Sequence, residues 1–153
     1  MKKVFFIGLI SLVFVFGFTT IQTDVVIDKK ALTSSCKKKL DPFQYDSQKF
    51  TKIISTKKNQ QLEVEVPVFI GEKYRVVFNT SQMNKPINIK IYTKDKESNK
   101  REPIFTNKDF NKNETEFIFD APRVRKMFID YEVPKDSANQ ALNGVVVFMI
   151  GYK

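Results

Sequence analysis

The sequence LEVEVPV, residues 62–68, places an apolar side chain at every second position. This period of two is typical of a strand that has one face in a protein core and the other toward solvent. Pro67 has no backbone N–H, which indicates a sheet edge, a bulge or a position whose amide points outward. Gly71 then begins a turn into a second alternating segment, residues 74–78, so we expect the two strands to form a hairpin.

Similar short segments continue along the chain and predict the rest of the fold. Alternation or a short apolar run occurs at residues 50–55, 87–92, 104–106, 117–119 and 127–131. The last run, residues 145–152, begins Val-Val-Val-Phe-Met-Ile, which predicts a central strand covered on both faces. Seven or eight strands separated by polar turns, without a convincing amphipathic helix, predict an all-β protein: a single antiparallel β-sandwich or jelly roll.

The N-terminus carries the pattern of a secretory signal peptide. Lys2 and Lys3 precede an apolar run over residues 4–18, and Thr19 follows it. This arrangement predicts a signal peptide in residues 1–20 and export to the periplasm, the outer envelope or the extracellular space. The sequence has no A-x-A cleavage site there, so an uncleaved anchor is the alternative. After leader cleavage we expect no integral membrane protein, because no second apolar run approaches the length of a bilayer span.

The region between the leader and the strands has a mixed composition. Charged and small polar residues are frequent in residues 21–42, which predicts a linker that contains one helical turn. Asp41-Pro42 marks the end of this linker, because a residue before proline is pushed toward extended geometry. We therefore expect one β-sandwich domain over residues 43–153, with a single core.

The charge balance is basic along the whole chain. Lysine and arginine total 26 against 17 acidic residues, a formal net charge of +9, and loss of Lys2 and Lys3 leaves 24 basic residues and +7. Such a charge favours an envelope protein or an anionic surface as the partner, and without a long basic arm we expect no nucleic acid. Arg123, Arg125 and Lys126 concentrate positive charge at a predicted loop-to-strand junction, and we predict that they form the binding site.

The absence of certain residue types from the chain excludes most of the common kinds of catalytic site. The chain has no histidine, so Ser-His and Cys-His nucleophile pairs and histidine-based zinc sites are impossible. Glu63 and Glu65 are predicted on a solvated strand face, where both carboxylates stay ionised and unspecialised. The charges of the loop at residues 95–102 are likewise explained by solvation, and no glycine-rich phosphate loop is present. We therefore predict no catalytic residues, no metal site, no cofactor and no enzymatic activity.

Cys36 is the only cysteine, so the chain cannot form an intrachain disulfide. An unreactive free thiol is the default interpretation, and an interchain disulfide and a lipid-attachment site are the alternatives. The position argues against lipid attachment, because Cys36 lies well past the apolar run and behind charged residues, whereas a lipoprotein cysteine follows its apolar run directly.

Four segments resemble a known family of secreted domains. In their order, residues 71–78, 87–92, 117–122 and 127–131 resemble the prepeptidase C-terminal-type jelly-roll domains of secreted bacterial peptidases and related collagen-binding modules, over residues 60–152. The resemblance implies a non-catalytic role in secretion, substrate contact or maturation of a larger partner. This chain departs from the pattern at residues 87–92, which lack the acidic residues that can help those domains to bind calcium. More loosely, it is similar to small uncharacterised secreted proteins of Bacteroidetes-like bacteria, which implies no function.

Two functions from different classes fit the sequence. The first is an exported envelope accessory or protein-interaction domain that docks onto another exported protein or an anionic surface. The second is a free-standing glycan-binding or adhesive module, for which exposed tyrosines would form a shallow site. Tyr45, Tyr92 and Tyr152 are the candidates for that site, and their exposure and mutual proximity discriminate between the two functions.

Overall fold

The computed structural model of the chain describes residues 27–136 and 141–153. The signal peptide or uncleaved anchor predicted in residues 1–20 lies outside the described residues and remains a prediction. The helix and strands are, in chain order, α1 (Lys29–Leu40), β1 (Gln44–Ile54), β2 (Gln60–Pro67), β3 (Tyr74–Met83), β4 (Asn88–Tyr92), β5 (Pro103–Thr106), β6 (Glu116–Ala121), β7 (Lys126–Val133) and β8 (Asn143–Tyr152). A single 3₁₀ turn, Asn107–Asp109, follows β5.

The eight strands form two antiparallel sheets of four strands each. The first sheet has the order β1-β8-β3-β6, and the second sheet has the order β2-β7-β4-β5. The chain pairs its first half with its second half in reverse, as β1–β8, β2–β7, β3–β6 and β4–β5. Such a long hairpin, rolled so that successive pairs alternate between two sheets, is a jelly roll, and the predicted fold class is confirmed.

The predicted hairpin of β2 with β3 is wrong. The two strands lie in different sheets, and residues 68–73 cross from the second sheet to the first. Strand β2 pairs with β7, and β3 pairs with β6 and β8. The alternating pattern shows only that each strand has one apolar face. Two such strands can bury their apolar faces either as neighbours in one sheet or as members of two sheets that pack face to face, so the pattern does not distinguish the two arrangements.

The main core fills the space between the two sheets. The alternating apolar residues predicted from the sequence point into it, and the facing aromatic rings of Phe78 and Phe105 stack with centroids 5.9 Å apart. Strand β2 lies at an edge of the second sheet, which accommodates the missing N–H of Pro67. Buried core members include Val64, Val66, Val76, Phe78, Ile89, Ile91, Ile129, Val146, Phe148 and Ile150.

Strand β8 is covered on both faces, as its unbroken apolar run predicted. It lies between β1 and β3 in the first sheet. Its alternate residues Val146, Phe148 and Ile150 face the main core, whereas Val147 and Met149 belong to a second, smaller apolar cluster. The structure therefore has a small cluster on the outer side of the first sheet in addition to the single core that was predicted.

Helix α1 forms that second cluster, in a region predicted as a linker with one helical turn. Its twelve residues place Leu32, Cys36 and Leu40 on one face, and these pack against the first sheet. The Asp28 carboxylate caps the helix by accepting the Ala31 N–H at 2.9 Å. The sequence predicted only one helical turn because lysines occupy most of the other positions of α1. The apolar stripe of the helix is therefore only one residue wide and is hard to recognise in the sequence.

Candidate functional site

Two neighbouring connections form one end of the sandwich. Pro67 pairs with Lys126 in the second sheet, and Tyr74 pairs with Ala121 in the first sheet. The β2–β3 connection, residues 68–73, and the β6–β7 connection, residues 122–125, therefore run side by side between the sheets. The backbones of Lys73 and Lys153 exchange hydrogen bonds of 3.0 and 2.9 Å, which brings the end of β8 to the same place.

Positive charge converges at this end, which we call the basic end and define by Lys73, Arg123, Arg125, Lys126 and Lys153. A groove of about 480 Å³ opens there, and its lining residues include Phe43, Lys73, Arg75, Asp120, Arg123 and Lys153. Four of these six side chains carry positive charge and one carries negative charge. The groove is therefore a place where an anion is favoured.

Arg75 and Asp120 form the fixed floor of the groove. Arg75 donates to the Asp120 carboxylate through Nε at 2.6 Å and Nη2 at 2.8 Å, and to the Asp41 carbonyl at 2.9 Å. The hydrogen bond from Arg75 lowers the pKa of Asp120 below its usual range. The Arg75 guanidinium also lies over the Phe43 ring, 4.6 Å from its centroid. Asp120 is thus already paired with Arg75 and acts on Lys153 only from beyond ion-pair distance, so positive charge predominates in the groove.

The structure separates the three predicted binding residues. Arg123 and Arg125 are exposed on either side of Val124, whose side chain packs against the main core and so anchors the connection. Arg123 lines the groove, and Arg125 does not. Lys126 begins β7 and pairs with Glu65 on β2 at 2.6 Å. The loop-to-strand junction is as predicted, while a binding role for these residues stays a prediction.

Three of the four groove cations, Lys73, Arg75 and Lys153, were missed by the sequence analysis. Lys73 and Lys153 lie far from Arg123 along the chain, and only the strand pairing of β3 with β6 and β8 brings them together. In the described part of the chain, none of Lys73, Arg123 and Lys153 lies within ion-pair distance of a carboxylate. No sequence signal marks such a convergence, because it depends on which strands are neighbours.

An apolar tip projects from the same end. Phe69 and Ile70 are adjacent in the β2–β3 connection and have 78% and 77% of their surface exposed. The pair could have been noticed in the sequence as two bulky apolar residues directly before the turn at Gly71.

The outer face of the second sheet carries a buried ion-pair network, which corrects the prediction of solvated charge at Glu63 and at Arg101. Arg101, in the loop after β4, pairs with Glu63 at 2.7 Å and with Asp130 at 2.9 Å. Its guanidinium also lies 3.7 Å from the Tyr92 ring centroid. Asp130 has no exposed surface, and the Arg101 side chain is only 10% exposed. Glu63 and Arg101 are therefore not simply solvated, because Arg101 folds back onto the sheet, whereas the other charged residues of the 95–102 loop are exposed, as predicted.

The tyrosines proposed for a glycan site do not form a shared exposed surface. Tyr92 is buried beneath Arg101, and Tyr152 is half-buried against the main core. Tyr45 is exposed, but Lys37 Nζ lies 5.5 Å from its ring centroid. A different groove, of about 490 Å³, lies beside the second sheet and is lined mainly by polar side chains, among them Asn59, Gln60, Gln61, Asn88 and Glu132.

Cys36 is fully buried between α1 and the first sheet. Burial raises the pKa of its thiol to about 12, and the nearby Glu116 carboxylate acts in the same direction. A thiol in this position is protonated at neutral pH and has no access to solvent, so the fold favours the free-thiol interpretation over lipid attachment or an interchain disulfide.

Within residues 27–136 and 141–153, no group of three or more cysteine, aspartate or glutamate side chains is arranged to hold a metal ion. Over the same residues, no helix is sufficiently long and apolar to cross a bilayer.

Comparisons with family models and with curated proteins find no match for this chain. Among solved structures, it is similar to Aeromonas hydrophila PliG, a periplasmic lysozyme inhibitor of g-type lysozyme. The sequence identity is 12% and the TM-score is 0.47, over 72% of this chain and 88% of that one. A likeness of this degree supports no functional assignment.

Proposed function

We propose that this chain is an exported, non-catalytic accessory protein that binds an anionic partner in the cell envelope through its basic end. One observation carries the proposal: Lys73, Arg123 and Lys153 surround an open groove without a carboxylate partner in the described residues. The positive charges of these side chains repel one another. An anion that enters the groove reduces this repulsion and so lowers the electrostatic free energy.

Contrast with the other cations of the molecule supports this function. Arg75, Lys90, Arg101 and Lys126 each pair with a carboxylate on a neighbouring strand, and so contribute to the fold. The other three groove cations, Lys73, Arg123 and Lys153, make no such pair. Their charge is therefore available for binding, and removing it leaves every ion pair of the described fold in place.

The sequence supports two further parts of the proposal, export and the lack of catalysis. The basic, apolar and polar succession of residues 1–20 supports export. The absence of histidine removes the commonest hydrolytic arrangements. The resemblance to prepeptidase C-terminal-type domains implies the same kind of role, contact with a larger partner without chemistry.

A charge-neutralising variant tests the function in cells. The triple substitution Lys73→Gln, Arg123→Gln and Lys153→Gln removes the groove charge. A matched control, Lys57→Gln, Lys58→Gln and Lys85→Gln, removes the same charge from exposed positions at the opposite end of the sandwich.

After crosslinking in intact cells and purification from the envelope, we expect a recurrent partner with the wild-type chain and the control variant. The groove variant should lose it, and raised salt should weaken capture by the other two chains. Equal recovery of the partner with all three chains would reject the basic end as the binding site.

Glycan binding is the second candidate, and the amide-lined groove beside the second sheet favours it. Side-chain amides both donate and accept hydrogen bonds, as sugar hydroxyls require. Screening the purified protein against envelope glycans separates the candidates, because binding through amides persists at high salt and binding through the basic end does not. The absence of any salt-resistant glycan binding would remove this candidate.

A further inference from the structure

The apolar tip is built to display its side chains. Val68 packs into the main core immediately before it, and the Phe69 N–H donates to the Tyr74 hydroxyl at 3.0 Å, so the base of the connection is fixed. Gly71 follows with φ +106°, a backbone conformation that suits glycine and turns the chain back toward β3. Phe69 and Ile70 are left outside this anchored base as the most exposed large apolar residues of the described chain.

Cations flank the tip on two sides. Lys73 lies at the end of the same connection, and Arg123 and Arg125 lie in the neighbouring β6–β7 connection. Glu72 is the one carboxylate within the tip connection itself, and the three cations outnumber it. An apolar projection bordered by positive charge matches a surface that is anionic outside and apolar a few ångströms below, which is the profile of an anionic lipid bilayer.

We infer that the partner of the basic end is the surface of an anionic phospholipid bilayer, into which Phe69 and Ile70 insert while Lys73, Arg123 and Arg125 contact the headgroups. The inference rests on the proposed function and names the class of its partner. A projecting tip has no concavity in which to hold a small molecule, so its apolar side chains are buried only when the partner closes around them. A fluid bilayer does so without a preformed cleft.

The expected affinity is that of a reversible peripheral contact. Each headgroup cation contributes about a fivefold increase in partitioning, so removing all three lowers it roughly a hundredfold. Removing both apolar side chains lowers it at least about tenfold, because they lose their burial in the bilayer interface. Binding should also fall with rising salt, because the headgroup contacts are screened.

A fluorescent reporter tests the insertion directly. The chain has no tryptophan, so Phe69→Trp introduces a single one at the tip. The probes are vesicles of phosphatidylethanolamine with phosphatidylglycerol, and vesicles of phosphatidylcholine as the neutral control. We expect a blue shift of the tryptophan emission and quenching by brominated acyl chains with the anionic vesicles only.

A vesicle flotation assay with two further variants shows whether the apolar tip, rather than exposed apolar residues elsewhere, contributes to vesicle binding. Phe69→Ser with Ile70→Ser removes the apolar tip, and Ile54→Ser with Ile118→Ser removes two partly exposed apolar side chains away from it. The tip variant should lose binding and the control variant should keep it, with unchanged melting temperatures for the tip variant because both side chains are exposed.

An unshifted tryptophan emission with anionic vesicles, or flotation unaffected by the tip variant, would overturn the inference. If vesicle binding fails while the groove variant still loses a crosslinked envelope protein, the inference is wrong and the proposed function stands. If vesicle binding fails and the groove variant also retains every crosslinked partner, both are wrong.

Discussion

The Asp130 side chain shows how a single residue departs from its pattern. Alternation along β7 places it on the face opposite Ile129 and Tyr131, where the sequence predicts solvent. Arg101 covers it instead, from a loop 29 residues earlier in the chain, and Gln61 donates a further hydrogen bond. The periodicity correctly assigned the face of the sheet, but it carried no information on a loop that folds over that face.

Removal of the Arg101 charge should be strongly destabilising. Arg101→Gln leaves the buried Asp130 carboxylate without its cation, and we expect the free energy of unfolding to fall by about 3–5 kcal/mol. The matched control is Lys126→Gln, which breaks an exposed pair with Glu65 and should cost less than about 1 kcal/mol. Urea unfolding of both variants measures the difference, and similar small losses would show that the network does not stabilise the fold.

The Cys36 thiol should be inert in the folded protein. Its burial and its pKa of about 12 keep it protonated and inaccessible at neutral pH. We expect no reaction with a maleimide until denaturant unfolds the chain, as followed by mass spectrometry. Rapid labelling of the native protein would mean that α1 does not cover this part of the first sheet.

Asp120 should give the stability of the protein a dependence on acidic pH. Its pKa is lowered by the hydrogen bond from Arg75, so the folded state binds its proton more weakly than the unfolded state. The contribution is therefore fully present above the unfolded pKa of about 4 and is lost as pH falls through the lower folded value. Asp120→Asn should lower the melting temperature at neutral pH and have less effect at strongly acidic pH, and an equal effect at both would contradict the ion pair.

Helix α1 is the element that sequence reasoning missed, although its signals were present. Leu32, Cys36 and Leu40 recur at a spacing of four, and Asp28 precedes them at the position of an N-cap. The strands were easier to predict, because most of them have a two-residue period, β8 has an unbroken apolar run, and the turns between them are polar. Their pairing was not predictable, since the hairpin assigned to β2 and β3 and the observed crossing have the same alternation.

Truncation on the buried face of α1 tests whether the helix is part of the folded unit. Leu32→Ala removes a buried side chain from the cluster that covers Val77, Val147 and Met149, and we expect a loss of about 2–5 kcal/mol in the free energy of unfolding. Lys38→Ala, on the exposed face of the same helix, should change it by less than about 0.5 kcal/mol. A negligible effect of Leu32→Ala in urea unfolding would mean that the sandwich folds without its helix.

The molecule as a whole is a jelly roll whose two outer faces and one end carry different structural features. One outer face is covered by α1, the other carries the Arg101 network, and one end collects unpaired cations beside an apolar tip. The cluster of Arg123, Arg125 and Lys126 was predictable, because those residues are neighbours in the chain. Lys73 and Lys153 were not predictable, because they join Arg123 only through the order of the strands.

Position-specific crosslinking in living cells would show whether the basic end binds an anionic partner. A photoreactive amino acid in place of Pro122 lies in the groove and leaves every cation unchanged, and the same substitution at exposed Pro86 serves as the control at the opposite end. We expect position 122 to capture a recurrent anionic component of the envelope in a salt-sensitive manner, and position 86 not to capture it. Capture of the same molecules at both positions, or of none at position 122, would contradict it.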